Sequence, residues 1–170
     1  MHRRRFIKTA AVAGLAAGID PTLAVAPVEL PRRRLGRTGE ELSIVGFGGI
    51  VVLNKEQQHA DRSVARAVEE HGINYFDVAP SYGNAEERLG PALEPYRKDS
   101  FLACKTTERS AEGAQRELHA SLKRMRTNYF DLYQLHAIKS LEDVEKAFGP
   151  GGAMEAFVKA REEGKVRFLG

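Results

Sequence analysis

From Pro31 onward, short apolar runs alternate with amphipathic stretches, and that alternation predicts the elements. "RRLGRTGEELSIVGFGG" reads as a hairpin turning over Gly36 to Gly39, then an apolar strand ending in glycines. In "ADRSVARAVEEHG", Ala60, Val64, Ala67 and Val68 recur at helical spacing, and Gly72 supplies a stop. "INYFDV" is a strand. "NAEERLGPAL" opens a helix, with Asn84 as N-cap and Glu87 three residues later like a capping box. "FLACK" is the next strand. Ser110 caps a helix in which Ala114, Leu118, Leu122 and Met125 share a face. "YFDLYQLH" is a further strand, and Leu141, Val144 and Phe148 begin another helix. That helix is broken by "GPGG" at Gly149–Gly152 and resumes through Met154, Phe157 and Val158. "KVRFLG" starts a fifth strand.

Strands alternating with helices argue for a parallel sheet with right-handed crossovers, in an α/β fold. The strand ends recur at Gly48, Asp77, Lys105 and His136, spaced by about thirty residues, the length of one βα unit. In a parallel barrel or open sheet those ends share one rim, where α/β proteins place their sites. Asp77, Lys105 and His136 should therefore converge, with Tyr82 on the loop after Asp77. Taken singly, each has a bland explanation: an exposed strand cap, or for Asp77 a cap of the following helix. Four such groups in the same phase are harder to dismiss. "GFGG" lacks the G-x-G-x-x-G pattern and no Walker loop is present.

Composition narrows the possibilities. The 170 residues suffice for one domain with a core, and the mixed charge is that of a globular, soluble chain. The net charge of +3 is concentrated near the start, in Arg3, Arg4, Arg5, Lys8 and Arg32 to Arg34. No basic stripe implies a nucleic-acid partner. Cys104 is the sole cysteine, so no intramolecular disulfide forms, and its apolar setting reads as a small buried hydrophobe. The five histidines show no ligand spacing, so no metal site is expected.

The first residues read as an address. "RRRFIKTAAVAGLAAG" has a basic head and a short Ala/Gly stretch, too short for stable membrane insertion. Arg3-Arg4-Arg5-Phe6-Ile7-Lys8 resembles the twin-arginine pattern, and Ala24-Val25-Ala26 offers a cleavage site ahead of Pro27. Residues 1–26 are thus expected to be a twin-arginine-type signal peptide, with the twin-arginine export machinery as partner and the periplasm as destination. Residues 27–170 form the remaining domain.

From Arg32 onward the chain resembles the aldo-keto reductases. The resemblance is carried by "LGRTGEELSIVGFGG", "NYFDVAPSYGNAEERLG", "FLACKT" and "YFDLYQLH", in the family's order and spacing. It implies a (β/α)8 TIM barrel with an N-terminal hairpin closing its floor, here an incomplete barrel of the hairpin and about five strands. It also implies NADPH-dependent reduction of an aldehyde or ketone, with a small carbonyl substrate. The family's tetrad falls on Asp77, Tyr82, Lys105 and His136. Gly48 and Gly49, with Asp77, correspond to its cofactor-side residues. Val78 stands where many members have threonine. The resemblance also implies that the residues binding the cofactor's phosphates belong to later strands, so this length by itself is expected to be inactive.

The tetrad suits the chemistry. Hydride arriving at a carbonyl carbon creates an oxyanion that needs a proton and electrostatic support. A free phenol, with a pKa near about 10, is poorly matched to neutral pH, and a neighbouring ammonium favours its ionised form. In this reading Tyr82 donates the proton, Lys105 supports it, Asp77 anchors Lys105 and His136 orients the carbonyl oxygen. Two alternatives compete: a non-catalytic nucleotide-binding or regulatory barrel, and a lyase using Lys105 as a Schiff base.

Overall fold

The computed structural model describes residues 30–170. The residues read as an export signal lie outside them. Strand β1 (Arg32–Arg34) pairs antiparallel with β2 (Glu41–Ser43). The turn between them passes through Gly36 and Gly39, both at positive φ (49° and 87°), the left-handed region that glycine enters without steric cost. Five parallel strands follow: β3 (Phe47–Gly48), β4 (Tyr75–Asp77), β5 (Phe101–Thr106), β6 (Phe130–Leu135) and β7 (Val166–Leu169). They lie side by side in chain order.

The crossovers carry α1 (Gln57–Glu69), α2 (Ala85–Leu93), α3 (Ala111–Arg124) and the pair α4 (Leu141–Phe148) and α5 (Ala153–Glu162). Neighbouring helices pack on one another: α1 on α2, α2 on α3, and α3 on α5. An unbroken strand order with successive helices in contact is the arrangement of a (β/α)8 barrel, of which these are the first five strands. Between helices and sheet lies the core, where Val64, Leu89, Leu118 and Phe157 pack around Phe76, Leu102 and Phe130. Burying each such side chain contributes about 1.5–3 kcal/mol.

The hairpin sits at the end of the sheet where the strands begin. Asn74, just before β4, accepts from the Ser43 N–H at 2.8 Å and donates to the Glu41 carbonyl at 2.9 Å. Arg167 of β7 reaches both Glu40 of the hairpin and Asp131 of β6. The floor is therefore closed by polar ties, and the opposite rim is left for the site.

One local expectation is corrected. Asn84 precedes α2, but its side chain does not cap that helix; its Oδ1 accepts from the Asn54 N–H at 2.8 Å. The amide is spent on tying the loop after β3 to the loop after β4, and no reciprocal capping box forms. Helix α4 exists as expected, yet Leu141 and Phe148 are 80 % and 64 % exposed, and Ala147 is its only buried residue. By contrast, Ser110 caps α3 by accepting from the Gly113 N–H at 3.2 Å, and Ala114, Leu118, Leu122 and Met125 are all buried.

Candidate active site

Parallel register places the expected residues at one rim. Gly48 pairs with Asp77, Asp77 with Ala103, and Lys105 with Gln134. The alternation of side chains along a strand then decides which way each points. Cys104 is fully buried on the helix side, while Lys105, one residue later, is only partly covered. His136 lies immediately beyond β6, and its N–H continues the ladder by donating to the Thr106 carbonyl at 2.8 Å.

Lys105 is the hub. Its Nζ forms an ion pair with the Asp77 carboxylate and lies 3.4 Å from the Val78 carbonyl. The same ammonium stands over the Tyr82 ring, 5.2 Å from its centroid. The His136 ring meets that phenol edge-on, with centroids 5.8 Å apart and the planes at 89°. Acid, ammonium, phenol and imidazole thus form one connected group, drawn from three successive strand exits. All four expected residues are brought together, each partly exposed at the rim.

The two glycines separate. A Cβ on Gly49 would lie 2.7 Å from Val78 Cγ2 and 3.2 Å from the Asp77 carbonyl, so close packing of the chain demands glycine there. A Cβ on Gly48 would meet nothing within 4 Å. Gly48 therefore borders open space beside Asp77, whereas Gly49 is buried against Val78. Val78 is also fully buried, and its side chain forms the surface against which Gly49 packs.

Sequence reasoning passed over two residues at this rim. Ser81 Oγ lies 3.3 Å from His136 Nδ1, and the Arg109 guanidinium donates to the His136 carbonyl at 2.7 Å. Arg109 also reaches Asp143 at 3.4 Å. The Lys139 N–H, donating to Asp143 at 2.9 Å, holds that carboxyl below the usual carboxylate range, and Arg109 adds to the effect. The only available signal was position, since both residues sit on loops directly following strands.

Cys104 lies behind the site. Burial pushes its thiol well above the ordinary thiol range, and the Glu86 carboxylate raises it further. This is the inert buried hydrophobe expected from its setting. Among the described residues, no group of three or more potential ligands could hold a metal ion, and no helix is long and apolar enough to cross a membrane.

Comparison with known proteins fits this geometry. The profile of the aldo/keto reductase family matches residues 45–170. The chain belongs to the aldo/keto reductase family. An uncharacterised oxidoreductase of Bacillus subtilis is 32 % identical over 153 residues, covering 82 % of this chain and 47 % of that protein. L-Galactose dehydrogenase of Arabidopsis thaliana is 33 % identical over 154 residues, covering 81 % and 47 % respectively. Among solved structures, the holo form of an aldo-keto reductase from Bacillus halodurans superposes with a TM-score of 0.72 at 30 % identity, over 84 % of this chain and 50 % of the other. An aldo/keto reductase from Brucella melitensis gives 0.64 at 29 % identity, over 83 % and 52 %. The chain spans about half the length of the curated relatives it matches.

Proposed function

We propose that the protein reduces an aldehyde or ketone to an alcohol, with NADPH as hydride donor and Tyr82 as proton donor. The observation that carries this is the Lys105 ammonium, held between the Asp77 carboxylate and the face of the Tyr82 ring. Family membership supports the same reaction class.

The donor set fits the nicotinamide end of the cofactor. Gly48 leaves an open face beside Asp77, so these two residues would border the ring. When bound, the cofactor supplies a hydride to the carbonyl carbon. The π pair of the C=O bond moves to oxygen, and the Tyr82 hydroxyl gives its proton to that oxyanion, completing the alcohol. Lys105 stabilises the phenolate left on Tyr82, and Asp77 holds Lys105 in place. Bulk water returns the proton to Tyr82. His136, edge-on to Tyr82, donates a hydrogen bond to the carbonyl oxygen and orients it before transfer.

Incubation of a version carrying all eight strands with NADPH deuterated at nicotinamide C4 tests this reading. The carbonyl carbon of the product alcohol should carry deuterium, detected by mass spectrometry. Absence of transfer across a panel of short aldehydes and ketones would leave a non-catalytic nucleotide-binding barrel. A borohydride-trapped adduct on Lys105 would instead assign Schiff-base chemistry.

The same proposal includes export. Its support is the Arg3-Arg4-Arg5-Phe6-Ile7-Lys8 run with Ala24-Val25-Ala26 behind it. Twin-arginine export carries folded proteins, and so would deliver an enzyme already loaded with its cofactor to the periplasm.

A further inference from the structure

We propose that Ser81 and Arg109 are positioning residues for His136, fixing its ring tautomer and its backbone respectively, so that Nε2–H faces the substrate carbonyl. The assignment rests on the reductase reading above for what His136 faces. It rests on the structure for how His136 is held.

Arg109 leaves none of its donors idle. Nη2 donates to the carbonyls of His136 at 2.7 Å and Ala137 at 3.1 Å. Nη1 reaches the carbonyls of Thr107 at 3.0 Å and Glu108 at 3.4 Å, and Nε reaches Asp143 at 3.4 Å. A guanidinium has five N–H groups, and here each has an acceptor. The four carbonyls belong to two neighbouring strand exits, after β5 and after β6. Beyond His136 the chain needs such a tie, because Ala137 has φ +54°, a left-handed conformation that a residue with a Cβ seldom adopts. The His136 N–H is bonded to Thr106. With Arg109 on its carbonyl, the residue is held from both sides of its Cα.

Ser81 acts on the ring. Its hydroxyl lies next to His136 Nδ1 and immediately precedes Tyr82 in the chain. A neutral imidazole has one donor and one acceptor nitrogen, and the bond made by one sets the role of the other. If Nδ1 carried the proton, the Nε2 lone pair would oppose the lone pairs of a carbonyl oxygen. A serine hydroxyl can donate or accept; a carbonyl oxygen only accepts, so facing it selects the arrangement in which Ser81 donates to Nδ1 and the proton sits on Nε2. Lysine cannot substitute for Arg109, since three donors on a point charge cannot serve two loops and Asp143 together.

Nitrogen-15 correlation spectra of the full chain read the tautomer directly, at a pH where imidazole is neutral. His136 should show protonated Nε2, and Ser81→Ala should convert this to a mixture. In steady-state assays of a version carrying all eight strands, Ser81→Ala and Arg109→Lys should each lower kcat by roughly 10- to 100-fold through misplacement. NADPH affinity and far-ultraviolet circular dichroism should stay unchanged. Ser81→Thr, which keeps the hydroxyl, should recover most of the rate. A wild-type His136 protonated at Nδ1 overturns the proposal whether or not the protein turns over. So does retention of the wild-type rate by both Ser81→Ala and Arg109→Lys. If the eight-stranded wild type transfers no deuteride, the reductase reading fails, and the tautomer still decides whether Ser81 holds the ring.

Discussion

Arg124→Met tests the ion pair that joins α2 to α3 behind the site. Glu86 is 1 % exposed, while the Arg124 side chain keeps 31 %. Arg124 Nε donates to Glu86 Oε2 at 2.5 Å, and the Cys104 thiol donates to Oε1 at 3.5 Å. Without the guanidinium, the buried carboxylate is left with one weak thiol donor. Breaking a buried pair from that side costs about 3–5 kcal/mol. Glu86→Met should be milder, at about 1–3 kcal/mol, because Arg124 can turn outward and regain water. The double replacement removes both charges at similar volume and should lie within about 1 kcal/mol of the parent. Urea denaturation followed by circular dichroism gives the three values, and the cycle gives the coupling. Two cheap, additive single changes would refute the claim that the pair is desolvated and interdependent.

Three further outcomes follow from the same geometry. Cys104 should not react with an aromatic disulfide reagent at mildly alkaline pH until denaturant is added, when one equivalent should react; rapid native labelling would contradict its burial. Gly90→Ala should destabilise by about 1–3 kcal/mol in thermal melts despite alanine's better helix propensity. Its new Cβ would lie 2.4 Å from the Arg124 carbonyl and 2.8 Å from Met125 Cα, backbone atoms with no room to yield. Replacing Arg3, Arg4 and Arg5 together by lysine should strand a fused reporter in the cytoplasm, and continued periplasmic delivery would end the twin-arginine assignment.

The rhythm of the chain made the parallel order readable, because successive strands end about thirty residues apart, three of them at the polar residues Asp77, Lys105 and His136. Depth within a strand was less legible. The tetrapeptide Asn-Tyr-Phe-Asp occurs twice, at 74–77 and 128–131. Asp77 closes its three-residue strand at the rim and meets Lys105. Asp131 is the second residue of a six-residue strand and lies buried near the floor, accepting from the Leu102 N–H and pairing with Arg97 and Arg167. Identical local sequence thus gives a rim acid and a structural acid, and strand length and long-range partners separate them. Asn84 escaped for a similar reason: its partner Asn54 is thirty residues away in the chain. Amphipathic spacing found α4, but spacing alone cannot say what covers an apolar face.

Tyr82→Phe, made in a version carrying all eight strands, removes the proposed proton donor and leaves its neighbours in place. NADPH consumption with a short aldehyde, measured alongside fluorescence titration of the cofactor, separates chemistry from binding. kcat should fall by about 100-fold or more, the scale of losing a general acid, with cofactor affinity held within about twofold, since the hydroxyl acts on the substrate oxygen. A phenylalanine variant that keeps most of the wild-type rate would remove Tyr82 from the reaction and with it the role assigned to Lys105.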